Sequence, residues 1–266
     1  MHFNPRNDKM PDFLTSTTQN KIAYEAIPAD GMGKNLPGVI FCTGYRSNMN
    51  GTKATFLRDM CQARGQAFVR FDYSGHGESG GEFTATTVSH WLDDLLYIID
   101  NIADKNRPHI LVGSSMGGWL SILAALKRPE KIHGFIGVAA APDFTEKLVW
   151  NNLSPKQKET LDTQGVLSQP SQYGGEPYVI TKDIIHDARA HIVLDKQHPF
   201  PHPVRLIHGH LDQSVPAIWA EKIKQSLLSD DCVITYVDDG DHFLSREQDL
   251  NLLAEAIIEL SKDITS

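Results

Sequence analysis

The chain has little cysteine: Cys42, Cys61 and Cys232 are its only three, odd in number and far apart. That spacing matches neither a disulfide framework nor a zinc site, and it fits a reducing compartment. No apolar run is long enough to cross a bilayer, so stable membrane insertion is not expected. No cluster of Lys and Arg is present and the formal net charge is −8. Nucleic acid is therefore not an expected partner, because phosphate recognition favours clustered cations. Met1 to Phe13 is polar, contains two prolines and lacks the apolar centre of a signal peptide. Asp8 and Asp12 depart from the Arg-rich, acid-poor character of a mitochondrial presequence. Together these absences lead to the expectation of a cytoplasmic protein. No internal repeat or low-complexity tract is visible.

What is present is an ordinary globular composition, 41% hydrophobic and 22% charged over 266 residues. That length allows one α/β domain with an insertion, or two small domains. Asp12–Thr17 and Lys21–Ile27 alternate as two short antiparallel strands would, and a polar loop follows from Pro28 to Pro37. Gly38–Cys42 is a continuous apolar run, expected of a strand buried on both faces. Thr52–Arg64 then reads as a helix, Ala67–Phe71 as a strand and Val88–Ile102 as a strongly periodic helix. A strand from His109, a helix over Trp119–Leu126 and a strand over Phe135–Ala140 continue the alternation. From Phe144 to Pro203 it stops, for longer than an ordinary connection. That stretch holds helical patches near Lys147–Trp150, Lys156–Thr163 and Asp183–Leu194, a Gly-Gly turn and a His/Pro run, Gln197–Pro203. The order resumes with a strand at Val204–His208, a helix near Ala217–Leu228, a strand at Cys232–Val237 and a last helix carrying Leu250, Leu253, Ile257 and Leu260. Such alternation implies a mostly parallel sheet with helices on both faces. The expectation is an α/β-hydrolase fold: one domain over residues 1–266, an eight-stranded sheet, and a helical cap at about 144–203 inserted before the seventh strand.

Gly113-Ser114-Ser115-Met116-Gly117 lies between the strand from His109 and the following helix. A G-x-S-x-G in that position is a nucleophile elbow, with Ser115 exposed at its tip. The five residues alone are a weak pattern, so their context decides. A serine hydroxyl needs a base within reach and a group that orients the base. In this fold the order along the chain is serine, acid, histidine. Asp212 follows the strand Val204–His208 and His242 follows the strand Cys232–Val237, the positions required. Taken singly, Asp212 would be a turn or helix cap and His242 one of twelve histidines. Asp143 and Asp241 are rivals for the acid, Ser114 for the nucleophile and His210 for the base. The oxyanion donors expected by position are the backbone N–H groups of Met116, after the nucleophile, and of Tyr45, in the loop after Gly38–Cys42. Asp72-Tyr73-Ser74-Gly75-His76-Gly77-Glu78-Ser79 lacks the Lys-Ser/Thr pair of a phosphate loop and reads as a shaped turn. Cys42 reads as a packed core thiol. Leu148, Val149 and Trp150 would line an acyl pocket or form the core of the insertion.

The chain resembles the family of alpha/beta-hydrolase domain-containing protein 10 and its bacterial relatives. The resemblance runs from about Gly38 to Val215. It rests on Gly44-Tyr45 through Met49-Asn50-Gly51-Thr52-Lys53-Ala54, on Arg70-Phe71-Asp72-Tyr73-Ser74-Gly75, on Gly113 through Gly118-Trp119-Leu120, and on Arg128-Pro129-Glu130-Lys131. It implies an acyl-protein thioesterase that removes palmitoyl groups, or an acyl-glucuronide esterase, with Ser115, Asp212 and His242 as the triad. The insertion matches less closely, and Phe243-Leu244 is more apolar than the animal pattern. The expected activity is a serine esterase or thioesterase acting through an acyl-enzyme on a small-molecule or acylated-protein substrate, with no metal or organic cofactor. Oligomeric state stays open. Two alternatives remain: a proline-iminopeptidase-type peptidase, which needs a group to hold a free α-amine, and a binding protein on an inactive hydrolase scaffold.

Overall fold

A computed structural model describes residues 10–16, 19–169 and 178–265. The apolar runs form the strands of one sheet: β1 (Asp12–Thr15), β2 (Lys21–Ile27), β3 (Gly38–Cys42), β4 (Phe68–Phe71), β5 (His109–Ser114), β6 (Ile132–Val138), β7 (Val204–Gly209) and β8 (Cys232–Val237). Their spatial order is β1-β2-β4-β3-β5-β6-β7-β8. Every neighbouring pair is parallel except those of β2, which runs against β1 and β4. Every residue of β3, β4, β5 and β7 is buried, as a sheet covered on both faces requires. The chain leaves β3 toward β4 on one side and returns to β5 on the other. The crevice at the carboxyl ends of β3 and β5 is thus a topological switch point, where open α/β sheets bind ligands.

Helices cover both faces. On one face, α1 (Thr52–Ala63) and the last helix, α7 (Glu247–Thr265), pack Leu57, Cys61, Leu253 and Ile257 on Val39, Phe41, Val112 and Ile136. On the other, α2 (Val88–Asn101), α3 (Met116–Lys127) and α6 (Ile218–Ser226) join a larger core that includes Trp91, Trp119 and Trp219. Their apolar stripes are what orients them.

Between β6 and β7 lie a π-helical turn (Thr145–Val149), a 3-10 turn (Trp150–Asn152), α4 (Pro155–Gln164), a hairpin of Val166–Gln169 with Tyr178–Thr181, and α5 (Lys182–Ala188). Ser154 caps α4 in a reciprocal capping box with Gln157. The expected Gly-Gly turn, residues 174–175, lies outside the described residues. The His/Pro run contributes a two-residue parallel bridge, His198–Pro199 with Leu227–Leu228. Leu148, Val149 and Trp150 are partly buried and pack against the larger core. Trp150 also carries Lys158 and Arg189 over its ring.

Most elements lie within a few residues of expectation, and two departures concern a loop and a strand end. The loop Pro28–Pro37 contains a 3-10 turn, Gly31–Asn35. The strand expected at Phe135–Ala140 is β6, three residues earlier at its start and two at its end. Ala139 has φ 44°, which ends the ladder, and Ala141 N–H donates to Ser115 O at 3.0 Å. Those alanines pack the elbow instead of extending the strand.

Candidate active site

The elbow is set by backbone crowding. Ser115 stands alone between the end of β5 and the start of α3 with φ 53°, a region costly for a residue with a Cβ. A Cβ on Gly117 would lie 2.1 Å from Cys42 O, and one on Gly113 would lie 2.4 Å from Gly117 O. Only glycine fits either position, so β3, β5 and α3 approach through these two residues. Ser115 N–H donates to Val138 O at 3.0 Å, which ties the turn to β6. Strained backbone of this kind persists when its surroundings over-determine it.

The three side chains selected by order along the chain meet here. Ser115 Oγ lies 3.1 Å from His242 Nε2, and His242 Nδ1 lies 2.7 Å from Asp212 Oδ2. With Nδ1–H donating to the carboxylate, Nε2 is the acceptor for the serine hydroxyl. Asp212 Oδ1 accepts from the N–H groups of Ser214 and Val215 at 2.9 and 2.8 Å. The carboxylate therefore does two things: one oxygen closes its own turn, as a bland reading of the sequence allows, and the other faces the histidine. Burial works against its charge, but side-chain hydrogen bonds with His208 and His242 and the Val215 N–H hold its carboxyl well below the usual range.

His208 was not singled out by sequence reasoning. It is buried at the end of β7, with Nε2 2.9 Å from Val215 O and 3.4 Å from Asp212 Oδ2. Both neighbours are acceptors, so Nε2 carries a proton. The signal was present as His208-Gly209-His210-Leu211-Asp212, but a buried histidine in a strand carries no distinctive spacing.

The loop after β3 is held by the Asp72–Ser79 turn. Asp72 Oδ1 accepts from Met49 N–H at 2.6 Å and its Oδ2 from Glu78 N–H at 2.9 Å. His76 Nε2 accepts from Arg46 N–H, the residue after Tyr45, at 3.2 Å. Burial lowers His76 to about 4, so its ring is neutral and can accept. The turn thus shapes the loop beside Ser115, and its two glycines gave no hint of that partner. Gly44 brings the loop close: a Cβ there would touch Ser114 O and Ser115 Cβ at 3.4 Å. The Tyr45 hydroxyl donates to Val179 O at 2.7 Å, while its ring packs edge-on against Phe83, Trp91 and Phe144.

Ser115 and His242 open into a cavity of about 290 Å³, also lined by Thr43, Tyr45, Lys53 and Phe243. The Thr43 hydroxyl is buried without a partner among the described residues. Among the described residues, Lys53 is the only lysine or arginine lining the cavity, and no Asp or Glu lines it.

The sequence-level rivals have other partners. Asp143 accepts from Val193 and Leu194 N–H at 2.9 and 2.8 Å, pinning the insertion. Asp241 accepts from Phe243 and Leu244 N–H. His210 stacks on Tyr236, and Ser114 is the last residue of β5. Cys42 is buried, and burial pushes its thiol up to about 11. Among the described residues no group of three His, Cys, Asp or Glu side chains could hold a metal ion, and no helix is long and apolar enough to cross a membrane.

The serine aminopeptidase S33 family matches residues 34–249. Human palmitoyl-protein thioesterase ABHD10, mitochondrial, is 39% identical over 249 residues, which cover 93% of this chain and 79% of the human protein. The chain belongs to the ABHD10 family of alpha/beta hydrolases. The bovine ABHD10 protein matches at the same identity and coverage. The structure of mouse alpha/beta hydrolase domain-containing protein 10 superposes with a TM-score of 0.86 at 35% identity, covering 96% of this chain and 99% of that one. Est1E from Butyrivibrio proteoclasticus, bound to ferulic acid, shares the fold at a TM-score of 0.77 and 19% identity, covering 95% and 98%. As an ABHD10-family member the chain is a hydrolase. The expectation of a cytoplasmic protein is corrected by the ABHD10 relatives, whose names place them in mitochondria. Free thiols fit any reducing compartment, so the cysteine pattern never singled out the cytoplasm.

Proposed function

We propose that the chain is a serine esterase or thioesterase that works through an acyl-enzyme on Ser115. The observation that carries this reading is the unbroken hydrogen-bond chain from the Asp212 carboxylate through His242 to the Ser115 hydroxyl. Ser115 Oγ attacks the acyl carbonyl while His242 Nε2 takes its proton, and the ionised Asp212 stabilises the imidazolium. The N–H groups of Met116 and Tyr45 are the donors for the tetrahedral oxyanion. His242 returns the proton to the leaving group and then activates the water that releases the acid. The names of the ABHD10 relatives support an S-acylated cysteine on a protein as the substrate class. We read residues 1–266 as one domain and about 144–203 as its cap. The Tyr45–Val179 hydrogen bond supports this, because it ties the hairpin of the insertion to the loop beside Ser115.

The S33 description favours a second reading, an aminopeptidase. A free α-amine needs a carboxylate to hold it, and the cavity offers Lys53 instead. An inactive scaffold is a weaker reading still, because such chains lose members of the hydrogen-bond chain. In the test, Ser115→Ala removes labelling by a fluorophosphonate probe and lowers turnover of a p-nitrophenyl ester and an S-acyl peptide by several orders of magnitude. Undiminished turnover, or release from an aminopeptide substrate at comparable rates, overturns the reading.

A further inference from the structure

The mechanism above leaves one charged side chain of the cavity unused. Lys53 sits in the first turn of α1, and its Nζ donates to Phe243 O, the carbonyl directly after His242. That places the ammonium on the side of the base, where His242 hands a proton to the leaving group. An ammonium has three protons to donate, and this carbonyl is its one hydrogen-bond acceptor among the described residues. Asp241 and Asp249 attract it without bonding to it: Asp241 accepts two backbone N–H groups of the base loop, and Asp249 of α7 is paired with Arg246. Gly51 caps α1 without a side-chain hydrogen bond, and no acidic residue stands in the first turn. The positive end of the helix dipole therefore adds to the lysine charge.

We infer that Lys53 selects substrates by the charge of the leaving group, favouring an acyl-cysteine flanked by an acidic residue over one flanked by a basic residue. The inference rests on the thioesterase reading and names a specificity within it. No covalent step involves Lys53. Its charge acts on the leaving peptide, which lies on the same side of the scissile bond. Burial lowers Lys53 to about 8, against the pull of Asp241 and Asp249, so the selecting charge is present at pH 7 and largely gone at pH 9.5.

Three N-acetylated peptides with one S-acyl cysteine test this, differing only in a Glu, Gln or Lys beside that cysteine. kcat/KM is measured at pH 7 and 9.5 for the wild type, Lys53→Arg and Lys53→Gln. Taking the ratio of two peptides cancels any common loss from a shifted His242 loop. The Glu peptide is expected to exceed the Lys peptide by about tenfold at pH 7, the size of a partly screened charge pair. In the wild type that ratio falls toward one at pH 9.5. Lys53→Arg keeps it at both pH values, since arginine stays charged, and Lys53→Gln shows it at neither. A ratio near one at pH 7 with the Gln peptide still hydrolysed overturns the inference alone, as does a ratio that survives in Lys53→Gln. No hydrolysis of the Gln peptide overturns the thioesterase reading, and this inference with it.

Discussion

Gly117→Ala adds one methyl group at the point where α3 meets β3. The new Cβ would lie 2.1 Å from Cys42 O and 2.5 Å from Thr43 O. Both contacts are backbone, so no rotamer change relieves them; about 0.9 Å of separation is missing before the closer reaches even a 3.0 Å contact. Overpacking of this kind costs about 1–3 kcal/mol, offset by up to about 1 kcal/mol from the better helix propensity of alanine. A net loss of about 1–2 kcal/mol lowers Tm by roughly 2–8 °C for a chain of this size. Activity should suffer more. The strand end that must move carries the loop with Tyr45, and a displacement near 1 Å between reacting groups costs on the order of 10² in rate. Thermal unfolding and kcat/KM on a short p-nitrophenyl ester, measured on the same preparation, separate the two effects. The expected variant is folded, modestly less stable and about a hundredfold slower. A variant with wild-type activity would refute the claim that close approach at Gly117 sets the geometry beside Ser115.

Two further predictions concern a buried carboxyl and the side chain of Tyr45. Asp94 is buried, with Oδ1 unpartnered among the described residues, and burial raises its carboxyl to about 6. A raised carboxyl is a cost carried above about pH 6 and absent below about pH 4. Asp94→Asn should therefore stabilise the fold by about 1–3 kcal/mol at pH 7.5 and by little at pH 4, read from urea unfolding at both values; equal effects at the two pH values contradict it. Tyr45→Phe keeps the Tyr45 N–H but loses the hydrogen bond to Val179 O. Turnover of an acetyl ester should stay within about twofold, while KM for a long-chain thioester rises several-fold as the hairpin loosens; a fall in acetyl-ester turnover of a hundredfold would contradict that separation.

The sheet was legible because each buried strand is a short apolar run and each helix carries a stripe at its own period. β2, β3 and β8 lie where the alternation puts them. β6 was displaced because Ala139 and Ala140 look like strand but leave it through a left-handed turn. The hairpin of Val166–Gln169 and Tyr178–Thr181 was missed, since its strands are short and no residue of the first is buried. At the site, Ser115, Asp212 and His242 could be chosen by order along the chain, and the structure brings their side chains within hydrogen-bonding distance. His208 could not, because a buried strand histidine carries no distinctive spacing, and His76 could not, because its contact with the Arg46 N–H is made across the fold. Lys53 lay in plain view in the α1 segment, but only the cavity shows what it faces.

The most direct test of the account is to trap the acyl-enzyme. The protein is mixed with an ester or thioester that deacylates slowly, quenched in acid within the first turnover and digested, and the acyl group is located by mass. The account predicts one acyl group per chain on the peptide containing Ser115, formed in a burst and absent in Ser115→Ala. Product release with no acylated peptide, or an acyl group on another residue, contradicts it.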